Sequence, residues 1–130
     1  MGKFKSQKVS VPKQDQYIYN ILSDMNNLNA VIPPQVKHFK STSESCSFKI
    51  EDFTELNLTF AEKEPYSKIS IKSENIELPF TLNCYLSKID NNNTQIIIEL
   101  SIKLNMMMKM MLGGKLQEFV DTVSDRIKNI

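Results

Sequence analysis

The sequence predicts an α+β domain in which a curved antiparallel sheet surrounds one long C-terminal helix. Residues 105–130 contain no proline and repeat apolar side chains at helical spacing. Residues 36–104 instead divide into six segments in which apolar and polar side chains alternate, the period of strands with one buried face. Short polar connections make consecutive strands antiparallel neighbours. Only the terminal helix has an apolar stripe long enough to cover the apolar sheet face.

The first third of the chain predicts one strand and two short helices. Residues 3–11 alternate loosely and end at Pro12, which suits a first strand. Pro12 then begins a helix that carries Asp15 in its first turn, where a negative charge is favoured. Residues 25–32 hold enough apolar side chains for a second short helix, and the prolines at residues 33–34 end it.

The six strands that follow direct one apolar set toward the terminal helix. The polar turn DNNN at residues 90–93 separates the last two strands. We expect the final strand to be the longest and to lead directly into the helix. The predicted inward residues are Leu56, Leu58, Phe60, Ile69, Ile71, Phe80, Leu82, Cys84, Leu86, Ile96, Ile98, Leu100 and Ile102. Cys46, Phe48 and Ile50 share one face of their strand, and Leu104 continues the alternation of the last strand.

The terminal helix has two unlike halves. At about 100° per residue, its apolar stripe fills an arc of roughly 120°. The stripe consists of Met108, Leu112, Leu116, Phe119, Val120, Val123, Ile127 and Ile130. Outside it, the first turns hold four methionines followed by two glycines, namely Met106, Met107, Met110, Met111, Gly113 and Gly114. We expect the second half of the helix to be core and the first half to border a pocket.

Composition excludes several classes of protein. Of 130 residues, 41% are hydrophobic and 24% are charged, and 16 basic against 15 acidic side chains leave a net charge of +1. This balance argues against broad electrostatic binding of nucleic acid or of an anionic membrane. No segment approaches the ~20 apolar residues of a membrane span, and the N-terminus lacks the apolar run of a signal peptide. We therefore expect one cytoplasmic domain over residues 1–130, without stable membrane insertion.

The residue types predict neither a metal site nor a cofactor. Cys46 and Cys84 lie in strand-like segments without metal-ligand spacing, so we expect free, buried thiols. His38 is the single histidine, which excludes sites that need two imidazoles. Thioether sulfurs bind Cu(I), but the methionine cluster fits core packing or a flexible apolar rim better.

Three segments carry a resemblance to a known superfamily. They are residues 11–24 (VPKQDQYIYNILSD), the turn at residues 62–65 (EKEP) and residues 105–117 (NMMMKMMLGGKLQ). Together with the element order, they resemble the START-like superfamily, also called Bet v 1-like or SRPBCC, and within it the small single-domain bacterial members that are polyketide cyclase-related or uncharacterised. The resemblance implies a helix-grip fold, a curved antiparallel seven-stranded sheet around the C-terminal helix with two short helices between strands 1 and 2.

The same resemblance implies a cavity between the sheet and the helix. Members of the superfamily use this cavity for lipids, sterols, polyketides or plant hormones. Some relatives are enzymes, and others bind protein partners such as chaperones. No catalytic motif of the enzymatic branches matches this sequence, so no catalytic residue is assigned.

We expect the protein to bind a small hydrophobic ligand, lipid-like or polyketide-like, without catalysis. A general acid or base must face the substrate, and the predicted inward set has none away from the strand ends. The residues expected to line the cavity are Leu58, Phe60, Ile71, Leu82, Cys84, Ile98, Leu100, Met107, Met108, Met111, Leu112, Leu116 and Phe119. The polar residues expected to orient a ligand are His38, Tyr66 and Asn83.

Two alternatives stay open. The first is an enzyme of the cyclase or dehydratase kind, which requires an acid–base residue inside the pocket. The second is a protein-interaction module with a filled core, either co-chaperone-like or a homodimer formed through the methionine-rich helix start. Gly113 and Gly114 mark either a tolerated kink or a close approach to a neighbouring strand, or else a space left for a ligand or a pivot at which the helix start moves as a lid.

Overall fold

The computed structural model describes residues 2–32, 36–50, 55–75 and 79–130, without the side chains of Ile50, Met108 and Leu112. The prolines at residues 33–34, predicted to end the second helix, lie outside these ranges. The helices and strands are β1 (Gly2–Lys5), β2 (Val9–Val11), α1 (Asp15–Leu22), a 3-10 helix (Met25–Ala30), β3 (Val36–Ser41), β4 (Ser45–Ile50), β5 (Glu55–Glu64), β6 (Lys68–Ser73), β7 (Phe80–Asp90), β8 (Asn93–Ile102) and α2 (Met106–Ile127).

The strands form one antiparallel sheet. Their order is β1-β8-β7-β6-β5-β4-β3, and β2 pairs with β8 beside β1. Consecutive strands from β3 to β8 are neighbours, as their short connections predict. The helix α2 contacts β1, β2 and β8, while α1 contacts β6 and β7. The predicted α+β class and the curved antiparallel sheet with a terminal helix are confirmed.

Two strands, rather than one, fill the first position of the sheet. The predicted strand over residues 3–11 is interrupted at residues 6–8, and both of its parts pair with β8. The Ser6 amide donates to the Ile98 carbonyl oxygen at 2.8 Å, and the Ile98 amide donates to Ser6 Oγ at 2.9 Å. The Ser6 side chain thus supplies an acceptor that a regular ladder would take from the backbone. The sheet keeps its seven predicted positions.

The short helices differ in detail from the prediction. The first begins at Asp15 rather than at Pro12, because the backbone at Gln14 is still extended, with φ −69° and ψ 150°. The second is a 3-10 helix of six residues, Met25–Ala30. Its start is capped by Asp24, whose Oδ1 accepts a 2.9 Å hydrogen bond from the Asn26 amide.

The last strand is shorter than expected. The longest strand is β7, with 11 residues, whereas β8 has 10. Because β8 ends at Ile102, Leu104, which was predicted to belong to this strand, lies in the connection to α2, partly buried against the core.

The two halves of α2 have very different environments. Val120, Val123 and Ile127 are buried, with exposed fractions of 0%, 3% and 1%. Leu116, Phe119 and Ile130 are partly buried against the same core. In the first half, by contrast, four methionines are exposed, namely Met106 (81%), Met107 (70%), Met110 (82%) and Met111 (70%). The second half is therefore the part of the helix that the sheet grips.

Candidate functional site

A small apolar cavity lies where α1, the 3-10 helix and α2 meet the inner face of the sheet. Its volume is about 30 Å³. It is lined by Leu22, Leu28, Val31, Ile69, Ile71, Leu82, Cys84, Ile98, Val123 and Ile127. These walls offer an included molecule dispersion contacts and a dry surface, with little directional bonding.

The cavity is too small for a lipid in this conformation. One water molecule needs roughly 10–15 Å³ of such space, whereas ligand pockets enclose about 300–1,000 Å³. A larger ligand fits only if α2 or the short helices move away from the sheet.

The structure brings some of the predicted lining residues together and separates others. Four of them surround the cavity, namely Ile71, Leu82, Cys84 and Ile98. Two are buried in the core outside its lining, namely Leu58 and Leu100. Three are partly buried against the core, namely Phe60, Leu116 and Phe119. The strand alternation therefore predicted the correct face of the sheet but not the extent of the cavity along it.

The methionines of the helix start do not line this cavity. Met107 and Met111, which were expected to do so, are each 70% exposed. They are one turn apart on a face of α2 that points away from the sheet. The side chains of Met108 and Leu112, which were also expected to line the cavity, are outside the described set.

In the part of the chain that the structure describes, no helix has both the length and the apolarity to cross a membrane.

Other lining residues were not among those expected. They come from α1, the 3-10 helix region, β6 and the end of α2, and they are Leu22, Leu28, Val31, Ile69, Val123 and Ile127. The helical stripe had already indicated that Val123 and Ile127 face inward. What the stripe did not indicate is that the cavity lies beneath the second half of α2, where we expected a filled core.

The titratable side chain in the lining is the thiol of Cys84. Burial raises the pKa of Cys84 to about 12 and that of Cys46, elsewhere in the core, to about 11. Both cysteines are free and buried, as predicted. A thiol that stays protonated near neutral pH is a poor nucleophile and no general base. Within the described ranges, no group of His, Cys, Asp and Glu is arranged to hold a metal ion.

Asn83, which was expected to orient a ligand, lies on the outer face of the sheet, away from the cavity. It alternates with the inward residues Leu82 and Cys84, so its side chain points the other way. There its Oδ1 accepts a 2.6 Å hydrogen bond from Ser70 Oγ, and its Nδ2 donates to Glu99 Oε1 at 3.3 Å. These partners leave the Asn83 amide engaged outside the cavity.

The other two polar candidates lie away from the cavity lining. His38 is exposed in β3, where the pairing with β4 shifts register, and its φ of 58° is left-handed. Tyr66 lies in the turn between β5 and β6, with 39% of its surface exposed. Its ring meets that of Tyr19 edge-on, with 5.4 Å between the centroids. Tyr66 therefore packs on α1 beside the core rather than facing the cavity.

Several proteins of known structure share this architecture. No protein-family model and no curated protein matches the sequence. Among solved structures, XoxI from Bacillus cereus is 6% identical and has a TM-score of 0.77, covering 99% of this chain and 94% of its own. A START superfamily protein from Mycobacterium smegmatis is 11% identical, with a TM-score of 0.68 and coverage of 98% and 97%.

The Zhui aromatase/cyclase from Streptomyces sp. R1128 is also similar in structure to this chain over nearly its whole length. Its identity is 8%, its TM-score 0.74, and the match covers 98% of this chain and 92% of that one. The chain has the START-like helix-grip fold. At such low identity the similarity concerns the fold alone.

In this helix-grip sheet, a β-bulge turns one lysine to the inner face. Phe60 pairs with Ile71, and after the bulge Lys63 pairs with Ile69, which lines the cavity. Cross-strand partners share a face, so Lys63 lies on the cavity side of the sheet. Its Nζ is 4.1 Å from the centre of the Phe60 ring and 3.8 Å from Glu44 Oε2. Simple alternation did not identify this residue, because the bulge reverses the direction of its side chain.

Proposed function

We propose that the protein binds a small hydrophobic molecule, with a lipid-like or polyketide-like body, between the sheet and α2. The observation that carries this proposal is the cavity at that position, whose lining is apolar apart from one neutral thiol. Fold neighbours named as a START superfamily protein and an aromatase/cyclase support it. Affinity would come from burying apolar surface, at about 25 cal/mol per Å² before ordering is subtracted.

Binding requires the cavity to grow, and the first half of α2 is the segment best suited to move. Gly113 and Gly114 each weaken a helix by about 1 kcal/mol relative to alanine. A Cβ added at Gly114 would meet no atom within 4 Å, so crowding does not explain the missing side chain. Because the α2 walls of the cavity are Val123 and Ile127, movement about these glycines would extend the cavity toward the helix start.

Lys63 is suited to bind a polar or anionic end of the ligand. It lies on the inner face beside Ile69, which lines the cavity. Its ion pair with Glu44 is long, at 3.8 Å, and the Glu44 side chain is 73% exposed. A pair so exposed stabilises little, so a ligand carboxylate could replace Glu44 at small cost.

Binding without catalysis suits these walls better than cyclase chemistry does. Acid–base catalysis needs a group that exchanges protons near neutral pH at the substrate. The lining offers the Cys84 thiol, whose pKa is about 12. A ligand would therefore be enclosed and released unchanged.

The test is to look for a carried ligand and for saturable uptake of an apolar probe. Protein purified without detergent is extracted with organic solvent and analysed by mass spectrometry. N-phenyl-1-naphthylamine fluorescence is then titrated with the delipidated protein, and near-UV circular dichroism verifies native packing. We expect a co-purifying apolar compound that displaces the probe. Repeated absence of any such compound, together with no saturable uptake, would contradict the proposal and favour a filled-core interaction module.

A further inference from the structure

The start of α2 presents the most exposed apolar surface of the described chain. Four methionines within six residues have exposed fractions of 70–82%, namely Met106, Met107, Met110 and Met111. Among the other large hydrophobic side chains that the structure describes, the most exposed is that of Ile89, at 53%. Single exposed apolar residues are ordinary, but a contiguous group of this kind marks an interaction surface.

The methionines occupy one continuous face of the helix. Counting about 100° per residue from Met106, the four methionines span an arc of about 140°. Lys109 lies about 60° outside one border of this arc, and Lys115 about 40° outside the other. Both lysines are exposed. We call the four methionines with these two lysines the methionine face.

The charge beside the methionines has one sign over the first turns of α2, before the exposed carboxylate of Glu118. Residues 100–117 contain Lys103, Lys109 and Lys115 and no acidic residue. The acidic residue that precedes them, Glu99, is buried on the outer side of the sheet and lies 3.5 Å from Lys5. The net charge of +1 for the whole chain therefore conceals a locally basic segment.

We propose that the methionine face docks on an anionic lipid surface. The methionines would enter the boundary between headgroups and acyl chains, and Lys109 and Lys115 would lie among the lipid phosphates. An apolar helical arc bordered by lysines is the usual arrangement of helices that lie in a membrane interface. Flexible thioether side chains suit a fluid partner without fixed shape.

A second copy of the chain is a poorer partner for the same face. In a two-fold symmetric dimer, identical surfaces meet, so both copies would bring the same basic segment, residues 100–117, to one interface. An anionic surface instead neutralises the lysines of this segment. The docking is inferred from exposed residues of α2 and not from the cavity. It therefore goes beyond the proposed ligand binding and does not depend on it.

Flotation of the full-length protein with vesicles tests the docking. Phosphatidylcholine vesicles with and without phosphatidylglycerol are compared at low and high salt. We expect binding to the anionic vesicles, weakened by salt. Replacing Lys109 and Lys115 together with glutamine should weaken it by about thirtyfold. As a control, Lys88→Gln with Lys128→Gln removes two exposed lysines elsewhere in the chain. This variant should bind the anionic vesicles as the native chain does.

A second variant pair tests the methionines. Met107→Gln with Met110→Gln should abolish binding to anionic vesicles, while Ile89→Gln, which replaces another exposed apolar residue, should not. Because all of these side chains are exposed, thermal unfolding should stay unchanged. No vesicle binding, or equal binding to neutral and anionic vesicles, would overturn the proposal. The proposal would also be overturned if the native chain dimerised as its concentration rises, the methionine variant stayed monomeric, and neither bound vesicles.

Discussion

Ser70 Oγ donates a 2.6 Å hydrogen bond to Asn83 Oδ1 across neighbouring strands on the outer face of the sheet. This bond orients the Asn83 amide so that its Nδ2 donates to Glu99 Oε1 at 3.3 Å. The Tyr85 hydroxyl donates to the same oxygen at 3.3 Å, and Lys5 Nζ lies 3.5 Å from the other. Glu99 is thus a buried carboxylate whose partners come from β7 and β1.

Glu99 should make the stability of the protein depend on pH. Burial, the largest influence, raises its pKa, but hydrogen bonds from Asn83 and Tyr85 and the charges of Lys5 and Lys3 together hold the pKa below its ordinary value of 4.5. A carboxylate with a lowered folded-state pKa stabilises the fold above its unfolded-state pKa and loses this effect as pH falls through the folded value. The free energy of unfolding in urea should therefore decrease below about pH 4.5.

Two variants distinguish Glu99 from the other carboxylates. Glu99→Gln should cost about 1 kcal/mol at neutral pH and flatten the acidic part of the stability profile. Glu118→Gln, an exposed position on α2, should leave the profile unchanged. An undiminished acidic decrease in Glu99→Gln would show that other groups cause it.

Enlarging the cavity should increase probe uptake. Val123→Ala removes two methyl groups from the cavity wall, whereas Val120→Ala removes them from a buried position on the same helix outside the lining. Both should lower the free energy of unfolding by about 1–2 kcal/mol. Only Val123→Ala should bind N-phenyl-1-naphthylamine more tightly. Equal affinity in the two variants would separate the binding site from the cavity.

Lys63 should govern the preference for anionic ligands. Lys63→Met should weaken binding of a fatty acid by about tenfold and leave that of the corresponding alcohol unchanged, because only the acid carries a charge. Lys68→Met is a close control: that lysine forms a 3.2 Å ion pair with Glu62 and lies on the outer face. Calorimetric titration of the variants measures the difference. A loss of acid binding in Lys68→Met but not in Lys63→Met would reverse the assignment.

Alanine at the two glycines of α2 should stabilise the fold and slow ligand entry. A Cβ at Gly113 would lie 3.9 Å from a carbon of the Phe4 ring, an ordinary contact, and one at Gly114 would meet nothing within 4 Å. Each substitution should therefore add up to about 1 kcal/mol of stability. If the helix start moves to admit ligand, stopped-flow probe uptake should be slower in the double variant. Faster or unchanged uptake would place the opening elsewhere.

The sequence was most informative where a regular period governs the structure. The two-residue alternation of β4 to β8 predicted the inner face of the sheet, and the helical stripe predicted that Val120, Val123 and Ile127 are buried. The same alternation places Asn83 outward, so its expected ligand contact conflicted with the predicted strand. These features follow from local geometry, which each residue shares with its immediate neighbours.

The features that sequence did not predict depend on local irregularities and on distances between elements. The β-bulge that turns Lys63 inward leaves no signal in a sequence of otherwise regular alternation. The first strand is interrupted at Ser6, where hydrogen bonds join Ser6 to Ile98, a residue far away in the sequence. The size of the cavity depends on how closely α2 approaches the sheet, a tertiary distance that no periodicity encodes.

The left-handed residue His38 affects contacts between protein molecules. It lies in β3, the strand at the end of the described sheet, where the pairing with β4 is irregular between Lys37 and Lys40. A straight terminal strand offers a row of backbone groups to which another chain can add. The left-handed backbone at His38 interrupts that row. The exposed, charged side chains of Lys37 and Lys40 further disfavour pairing with another strand. This edge of the sheet is therefore a poor template for aggregation by strand addition.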